Sequence, residues 1–233
     1  LPICHFIDDL TFVENGKTFK RVPEVFDCWF ESGSMPYAQN HFPFENRETT
    51  LKAFPADFIA EGVDQTRCWF YTLHVLSVAL FDKPAFKNVI VNGIILAEDG
   101  MKMSKRLKNY PEPGIVIEKF GADAIRLYLM NSPAVMADDL RFSGKGVELV
   151  LRQALIPLWN CYVFLATYAK IYNWKPQAEF HAPKADIDRW ILSLLQKLVQ
   201  DVDHAMTAYE LQAAVQPLVG FIDQLTDWYI RRN

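Results

Sequence analysis

The stretch VIVNGIILAEDGMKMSKRLK, residues 89–108, joins an apolar strand pattern to a short basic loop. Four of the seven residues from Lys102 to Lys108 are Lys or Arg, and none is acidic. A loop at the end of a parallel strand that carries several cationic side chains suits a polyphosphate whose negative charge grows as its bond breaks. The alternative is a solvated basic loop, which is the commoner outcome for an arbitrary run of lysines.

The residues upstream of this loop predict an α/β fold. Phe58-Ile59-Ala60 and Val89-Ile90-Val91 have the pattern of buried strands, and residues 67–81 between them suit a mostly buried helix. Strand, helix and strand with nearly continuous apolar strands are typical of a parallel sheet. Ligands of such sheets bind beyond the carboxyl ends of the strands, where Glu61-Gly62-Val63-Asp64-Gln65 and Asn92-Gly93 fall.

The two ends of the chain predict other structures. Asn15-Gly16 between apolar residues is a hairpin signal. Residues 25–34 change from apolar and aromatic to small and polar, which predicts a strand followed by a loop. Beyond Ser143, apolar residues recur at helical spacing, and a capping box at Thr207-Ala208-Tyr209-Glu210 predicts the start of a further helix. The chain therefore predicts an α/β part up to residue 142, followed by an all-α bundle.

Composition limits the possible functions. A formal net charge of -4 argues against a generally cationic nucleic-acid surface, so any such contact must come from local patches. The 4 cysteines and 5 histidines are scattered, so neither a disulfide framework nor a protein-bound metal is predicted. No run approaches about 18 uninterrupted apolar residues and no secretory peptide opens the chain, so a cytoplasmic protein without a membrane partner is expected.

Four sequence blocks, in order along the chain, resemble those of isoleucyl-tRNA synthetases, which are class I aminoacyl-tRNA synthetases. The residues in these blocks are similar to those of the eukaryotic-type branch of the family. The blocks are residues 25–34, 61–70, 91–106 and 228–232. Lys102-Met103-Ser104-Lys105-Arg106 resembles the Lys-Met-Ser-Lys-Ser loop of that class, with Arg106 in place of the last Ser. The resemblance implies ATP-dependent ligation of isoleucine to its tRNA through an isoleucyl-adenylate, with Mg²⁺ accompanying ATP as substrate.

The resemblance also implies a domain order. Residues 1–24 would be a connecting segment, 25–108 the second half of a Rossmann-type catalytic domain, 109–142 a stem-contact region, and 143–233 the start of an anticodon-binding helical bundle. No His-x-Gly-His motif occurs, no Met opens the chain, and a helical pattern runs to its last residues. We therefore expect a fragment that lacks the other half of the nucleotide fold and the editing domain, needs the remainder of the synthetase chain, and is inactive alone.

The resemblance assigns roles to individual residues. Trp29 and Trp69 would form walls of the isoleucine side-chain pocket. Lys102 and Lys105 would be catalytic, with Lys105 contacting the ATP phosphates. The ATP- or adenylate-binding residues would be Glu61, Gly62, Asp64, Gln65, Asn92, Gly93, Ser104 and Lys105. Arg231 and Arg232 would face tRNA.

Departures from the family pattern and alternative functions remain. Cys68 stands where the family has Gly, next to Trp69, and Asp227 stands where Asn is usual. Arg231 and Arg232 are also compatible with solvated arginines at a helix end. The alternative functions are a non-catalytic tRNA-binding or assembly module derived from a synthetase, and a valyl-type paralogue.

Overall fold

The computed structural model describes residues 8–25, 27–176 and 182–232. Of the segments named above, the first seven residues of the connecting segment, Phe26 of the first block, and residues 177–181 and 233 of the helical bundle lie outside the described residues. The chain divides into two compact units, one formed by residues 1–57 and 64–88, the other by residues 58–63 and 89–233.

The first unit begins with a β-hairpin. Strands β1 (Thr11–Glu14) and β2 (Lys17–Lys20) pair antiparallel, with Phe12 opposite Phe19. Asn15 and Gly16 in the turn both have positive φ, 51° and 73°. This is the backbone of a two-residue hairpin turn in which both central residues are left-handed, so the hairpin prediction is confirmed.

The segment that was expected to be a strand and a loop is helical instead. Helix α1 (Cys28–Gly33) begins after Asp27, whose carboxylate accepts a hydrogen bond from the backbone N–H of Trp29 at 2.9 Å. Such an N-cap satisfies one of the free N–H groups at a helix start, which favours a helix in spite of the aromatic residues. The helices α2 (Met35–Ala38) and α3 (Arg47–Ala53) follow.

Helix α4 (Trp69–Phe81) packs closely against α1 within the first unit. A Cβ atom added to Gly33 would lie 2.9 Å from the Cβ of Thr72 and 3.0 Å from Cδ1 of Leu76, so only glycine permits this approach. Phe70, Leu73 and Ser77 are buried, whereas Tyr71 and Leu80 are 59% and 62% exposed. The expectation of a mostly buried helix is therefore wrong, because only one face of α4 is covered.

Both predicted α/β strands are present. Strand β3 (Ala56–Gly62) and strand β4 (Phe86–Asn92) are hydrogen-bonded neighbours in a two-stranded sheet. A 3₁₀ turn (Val63–Arg67) follows β3 and precedes α4. Among the described residues no sheet has more than two strands.

The second unit continues with a small α/β cluster. Strands β5 (Ile95–Leu96) and β6 (Leu140–Arg141) pair in parallel, and between them lie α5 (Pro113–Phe120), α6 (Ala122–Met130) and a 3₁₀ turn (Pro133–Met136). Val116, Ala124 and Val147 form the buried centre of this cluster.

A long helical segment, Gly144–Ile171, follows. It comprises α7 (Gly144–Val150), a π-helical turn (Leu151–Leu155) and α8 (Ile156–Ile171). By length and composition alone this segment could span a membrane. Core helices of globular proteins can be equally long and apolar, so one such helix does not identify a membrane protein. No residue of α8 is buried among the residues described here.

Two further helices complete the all-α part. Helix α9 (Asp186–Thr207) and helix α10 (Leu211–Asp223) pack together, and a π-helical stretch (Gln224–Ile230) continues α10. The predicted capping box is wrong, because Thr207 is the last residue of α9. Tyr209 has a left-handed φ of 60°, and the N–H of Glu210 donates to the carbonyl of Ala205 at 2.8 Å, so these residues end α9.

Candidate functional site

The first unit holds both tryptophans that were predicted to line an amino-acid pocket. Trp29 lies in α1 and is 42% exposed, whereas Trp69 is the first residue of α4 and is half-buried. The indole N–H of Trp69 donates to the backbone carbonyl of Ser32 in α1 at 3.0 Å. Since its polar atom is already paired, the Trp69 ring has only apolar surface left to offer a ligand.

Asp64 and Gln65 lie in the 3₁₀ turn immediately before α4. The side-chain oxygen of Gln65 accepts a hydrogen bond from the backbone N–H of Trp69 at 3.1 Å, and its amide nitrogen donates to the Asp64 carboxylate at 3.2 Å. An amide oxygen has a second lone pair and a carboxylate has several, so both groups keep free acceptors. Asp64 is exposed. The turn therefore fixes two polar side chains beside Trp69 with acceptors available to a cationic or hydroxyl-bearing ligand.

Cys68 has an unusual backbone conformation at the start of α4. Its φ and ψ are -125° and -109°, and it is the N-cap residue without a side-chain cap hydrogen bond. The side chain of Cys68 is half-buried and its thiol is free.

The second unit holds the predicted residues at the ends of β3 and β4. Glu61 and Gly62 are the last residues of β3, and Asn92 is the last of β4. Gly93 is enclosed by the segment that precedes β6, because an added Cβ would lie 1.8 Å from the carbonyl oxygen of Asp138. Backbone packing therefore requires a glycine at this position independently of any ligand.

The same contact is reinforced by hydrogen bonds at Gly93 and at Ile94, the residue after it. The N–H of Gly93 donates to the carbonyl of Ala134 at 2.8 Å, and the N–H of Ile94 donates to the Asp139 carboxylate at 3.2 Å. The N–H of Leu140 donates to the carbonyl of Ile94 at 2.9 Å. The Asn92-Gly93 corner is consequently fixed to residues 134–140, a connection that the sequence did not reveal.

The basic loop grows out of a tight hairpin. Leu96 pairs antiparallel with Lys102, and the N–H of Ala97 donates to the carbonyl of Met101 at 2.9 Å. Gly100 in the turn has a φ of 83°, a conformation that favours glycine. Lys102 therefore leaves the hairpin in a defined direction.

The loop then closes on itself. The N–H of Lys108 donates to the carbonyl of Ser104 at 2.9 Å, which makes residues 104–108 a single turn. Ser104 is half-buried, whereas Lys102, Lys105, Arg106 and Lys108 are exposed. None of the ion pairs among the described residues involves these four cations. Their charges are available to an anionic ligand.

Asn109 is a residue that the sequence analysis missed. Its side-chain oxygen accepts a hydrogen bond from the backbone N–H of Ser104 at 2.9 Å, and its amide nitrogen donates to the carbonyl of Lys102 at 3.2 Å. The available signal was an asparagine just after a basic run and before Pro111, since asparagine often bonds neighbouring backbone in loops.

Arg231 and Arg232 lie at the end of the π-helical stretch. Arg231 is 3.8 Å from the carboxylate of Asp227, and the guanidinium of Arg232 lies over the ring of Trp228, 4.3 Å from its centre. The Tyr229 hydroxyl donates to the Asp188 carboxylate of α9 at 2.8 Å, which fixes this segment to the bundle. Both arginines are exposed.

Other chemistry in the described residues is sparse. Within residues 8–25, 27–176 and 182–232 no group of three or more His, Cys, Asp or Glu side chains could hold a metal ion. Cys161 of α8 is half-buried, and burial raises the pKa of its thiol, an effect that a backbone hydrogen bond partly offsets.

Comparison with known families identifies the class. Residues 4–143 match the family of class I tRNA synthetases (I, L, M and V), and residues 188–233 match the anticodon-binding domain of tRNA ligases. The chain belongs to the class I tRNA synthetases. This agrees with the mixed α/β part followed by helices.

Within that class the chain is similar to isoleucine–tRNA ligases. It is 69% identical over 229 residues to the isoleucine–tRNA ligase of Protochlamydia amoebophila and 62% identical over 229 residues to that of Chlamydia trachomatis serovar D. Each match covers 98% of this chain and 22% of the relative, so the chain spans about 22% of the length of these curated relatives. The resemblance to isoleucyl-tRNA synthetase is confirmed, whereas its eukaryotic-type branch stays a prediction.

Two solved structures share the fold. The leucyl enzyme in the LeuRS–tRNA–LeuAMS ternary complex of Agrobacterium radiobacter K84 has a TM-score of 0.73 at 19% identity, over 94% of this chain and 28% of that one. Methionyl-tRNA synthetase of Mycobacterium tuberculosis in complex with methionyl-adenylate has a TM-score of 0.72 at 21% identity, over 90% and 42%. At these identities the likeness concerns the fold.

Proposed function

We propose that the chain is the segment of an isoleucine–tRNA ligase that carries the basic ATP-site loop, part of the isoleucine pocket and the start of the anticodon-binding bundle. The observation that carries the proposal is the Lys102–Lys108 loop, which rises from a defined hairpin with four exposed cations. The complete enzyme would use ATP with Mg²⁺ to form isoleucyl-adenylate and then pass the isoleucyl group to its tRNA.

Catalysis by this loop would rest on charge. Attack of the isoleucine carboxylate on the α-phosphorus of ATP expels pyrophosphate, so negative charge accumulates on the leaving group in the transition state. Lys102 and Lys105 would stabilise that charge, and the backbone at Ser104 would position Lys105. No covalent intermediate with the protein is needed.

The isoleucine side chain would bind beside Trp29 and Trp69. A paired indole N–H at Trp69 supports an apolar wall, which suits a branched aliphatic group. Gln65 would accept a hydrogen bond from the α-amino group with its second lone pair, and Asp64 would accept from the ribose hydroxyls. Glu61 and Gly62 would add ribose contacts, and Asn92 and Gly93 would accommodate the adenine.

The helical end of the chain would contact tRNA. Arg231 and Arg232 are exposed at the end of a π-helical stretch, and such stretches often occur at functional sites. The guanidinium of Arg232 lies over the ring of Trp228, and its N–H groups would donate to a phosphate or base. We place the enzyme in the cytoplasm, where its tRNA substrate is charged.

The proposal is tested by isoleucine-dependent exchange of pyrophosphate into ATP. Two samples are compared, namely this 233-residue chain and the full-length chain that contains it. We expect exchange in the full-length chain and none in the 233-residue chain, because the latter spans a small share of the related ligases. Exchange in neither sample, with tRNA binding retained, would favour a non-catalytic tRNA-binding module. Exchange that depends on valine instead would favour a valyl-type paralogue.

A further inference from the structure

The side chain of Asn109 ties together the two ends of the basic loop. It lies at the loop exit, and it bonds the backbone of two residues at the loop entrance, the N–H of Ser104 at 2.9 Å and the carbonyl of Lys102 at 3.2 Å. Both polar atoms of the amide are thereby used, each in the role its chemistry allows. One side chain thus closes the base of residues 102–108.

The loop has little else to hold it in place. Within the loop, the part of the chain that the structure describes has a backbone hydrogen bond from the N–H of Lys108 to the carbonyl of Ser104. Lys105, Arg106 and Leu107 are exposed. Exposed loops with few packing contacts open locally at small free-energy cost. The Asn109 amide therefore contributes a large share of the order of this turn.

The hairpin that carries the loop is anchored to the α/β cluster of the second unit. Strand β5 pairs with β6, and the N–H of Phe142 donates to the carbonyl of Leu96 at 2.9 Å. A Cβ on Gly100 would meet the guanidinium of Arg141 at 3.0 Å, so Arg141 packs against the hairpin turn. Lys102 is consequently attached to a fixed base, and Asn109 transmits that position to Ser104.

We propose that Asn109 is a positioning residue for adenylate formation, because its amide fixes Ser104 to Lys102 and so directs the neighbouring Lys105 towards the ATP phosphates. The inference rests on the proposed function of the loop. It requires no contact between Asn109 and substrate, since the effect passes through the two backbone bonds.

The test uses the full-length ligase with Asn109→Ala, with Asn109→Asp and with Asn160→Ala as a matched control. Asn160 is exposed on α8, so its truncation makes the same chemical change away from the loop. Aspartate can still accept from the Ser104 N–H but places an acceptor against the Lys102 carbonyl, so the loss of the second bond should lower the rate of adenylate formation as well.

Two measurements distinguish a positioning role of Asn109 from a general structural role. The first is isoleucine-dependent pyrophosphate exchange at steady state, which gives kcat and the KM values for ATP and isoleucine. The second is the initial rate of trypsin cleavage after Lys105 and Arg106, each identified by mass spectrometry. For Asn109→Ala we expect kcat to fall about tenfold to hundredfold with the KM for isoleucine unchanged. We expect loop cleavage to rise about tenfold while the melting temperature stays near that of Asn160→Ala.

Several outcomes would overturn the proposal. Unchanged kcat and cleavage in Asn109→Ala would show that the two bonds do not order the loop. Faster cleavage without a change in kcat would show that loop order is irrelevant to adenylate formation. An Asn109→Ala variant with a raised KM for isoleucine and a lowered melting temperature would make the role merely structural. If the wild-type enzyme shows no isoleucine-dependent exchange, the proposed function fails, and the cleavage rates still decide whether Asn109 holds the loop.

Discussion

Gly93→Ala is expected to destabilise the second unit strongly. The new Cβ would lie 1.8 Å from the carbonyl oxygen of Asp138 and 2.3 Å from its carbonyl carbon. Ordinary contact begins at 3.4 Å, so the two backbones must separate by about 1.6 Å. Neither partner is a flexible side chain, and the strain therefore falls on the backbone.

The magnitude follows from what a shift of this size disrupts. Overpacking of a filled site costs about 1–3 kcal/mol. The hydrogen bonds from Gly93 N–H to Ala134 and from Leu140 N–H to Ile94, at 2.8 and 2.9 Å, would lengthen or break, at about 0.5–1.5 kcal/mol each. We expect a total loss of about 2–6 kcal/mol in the free energy of unfolding.

Urea unfolding of the 233-residue chain, followed by far-ultraviolet circular dichroism, measures this loss. The matched control is Gly220→Ala in α10, where an added Cβ meets nothing within 4 Å. Removing a helix glycine should stabilise the chain by about 0.5–1 kcal/mol. Hydrogen exchange should also quicken in residues 93–94 and 140. A Gly93→Ala variant as stable as wild type would refute the close approach of Gly93 to Asp138.

Two further predictions concern the first unit and α8. In the full-length enzyme, Gly33→Ala should raise the KM for isoleucine several-fold with a smaller effect on kcat, because the new Cβ forces α4 away from α1 near Trp69. Steady-state exchange kinetics test this, with Gly114→Ala as control. In the 233-residue chain, iodoacetamide should modify Cys161 more slowly than the exposed Cys28, because burial raises the pKa of the Cys161 thiol and lowers its thiolate fraction.

The results that would contradict these two predictions are distinct. An unchanged isoleucine KM in Gly33→Ala would mean that the α1–α4 spacing does not shape the pocket. Because the pKa of the Cys161 thiol is raised, its alkylation rate should keep increasing at pH values above those at which an ordinary cysteine thiol has fully ionised. Equal rates at Cys28 and Cys161, with the same pH dependence, would refute the burial argument.

Much of the fold could be predicted from local signals. Asn15-Gly16 requires positive φ at both positions, and the sequence states that requirement directly. The strands β3 and β4 follow from short apolar runs. The basic loop and its exposure follow from its charge.

The errors arose where one side chain or a distant segment decides the structure. The carboxylate of Asp27 caps α1 and favours a helix where the apolar residues predicted a strand. Glu210 ends α9 by a backbone bond to Ala205, and spacing alone cannot distinguish that from a new start. The enclosure of Gly93 by Asp138 depends on a segment brought close by folding, so no local pattern could give it. The two bonds of Asn109 are local, and an asparagine next to a basic run was the signal that could have indicated them.

The central claim is that Lys105 stabilises charge in the transition state of adenylate formation. The most direct measurement is steady-state isoleucine-dependent pyrophosphate exchange by the full-length enzyme with Lys105→Ala, beside Lys145→Ala, which removes an exposed lysine of α7. We predict that Lys105→Ala lowers kcat by about 10²–10³-fold while the KM for ATP changes little, and that Lys145→Ala behaves as wild type. An unchanged kcat in Lys105→Ala, or a loss confined to the KM for ATP, would contradict the account.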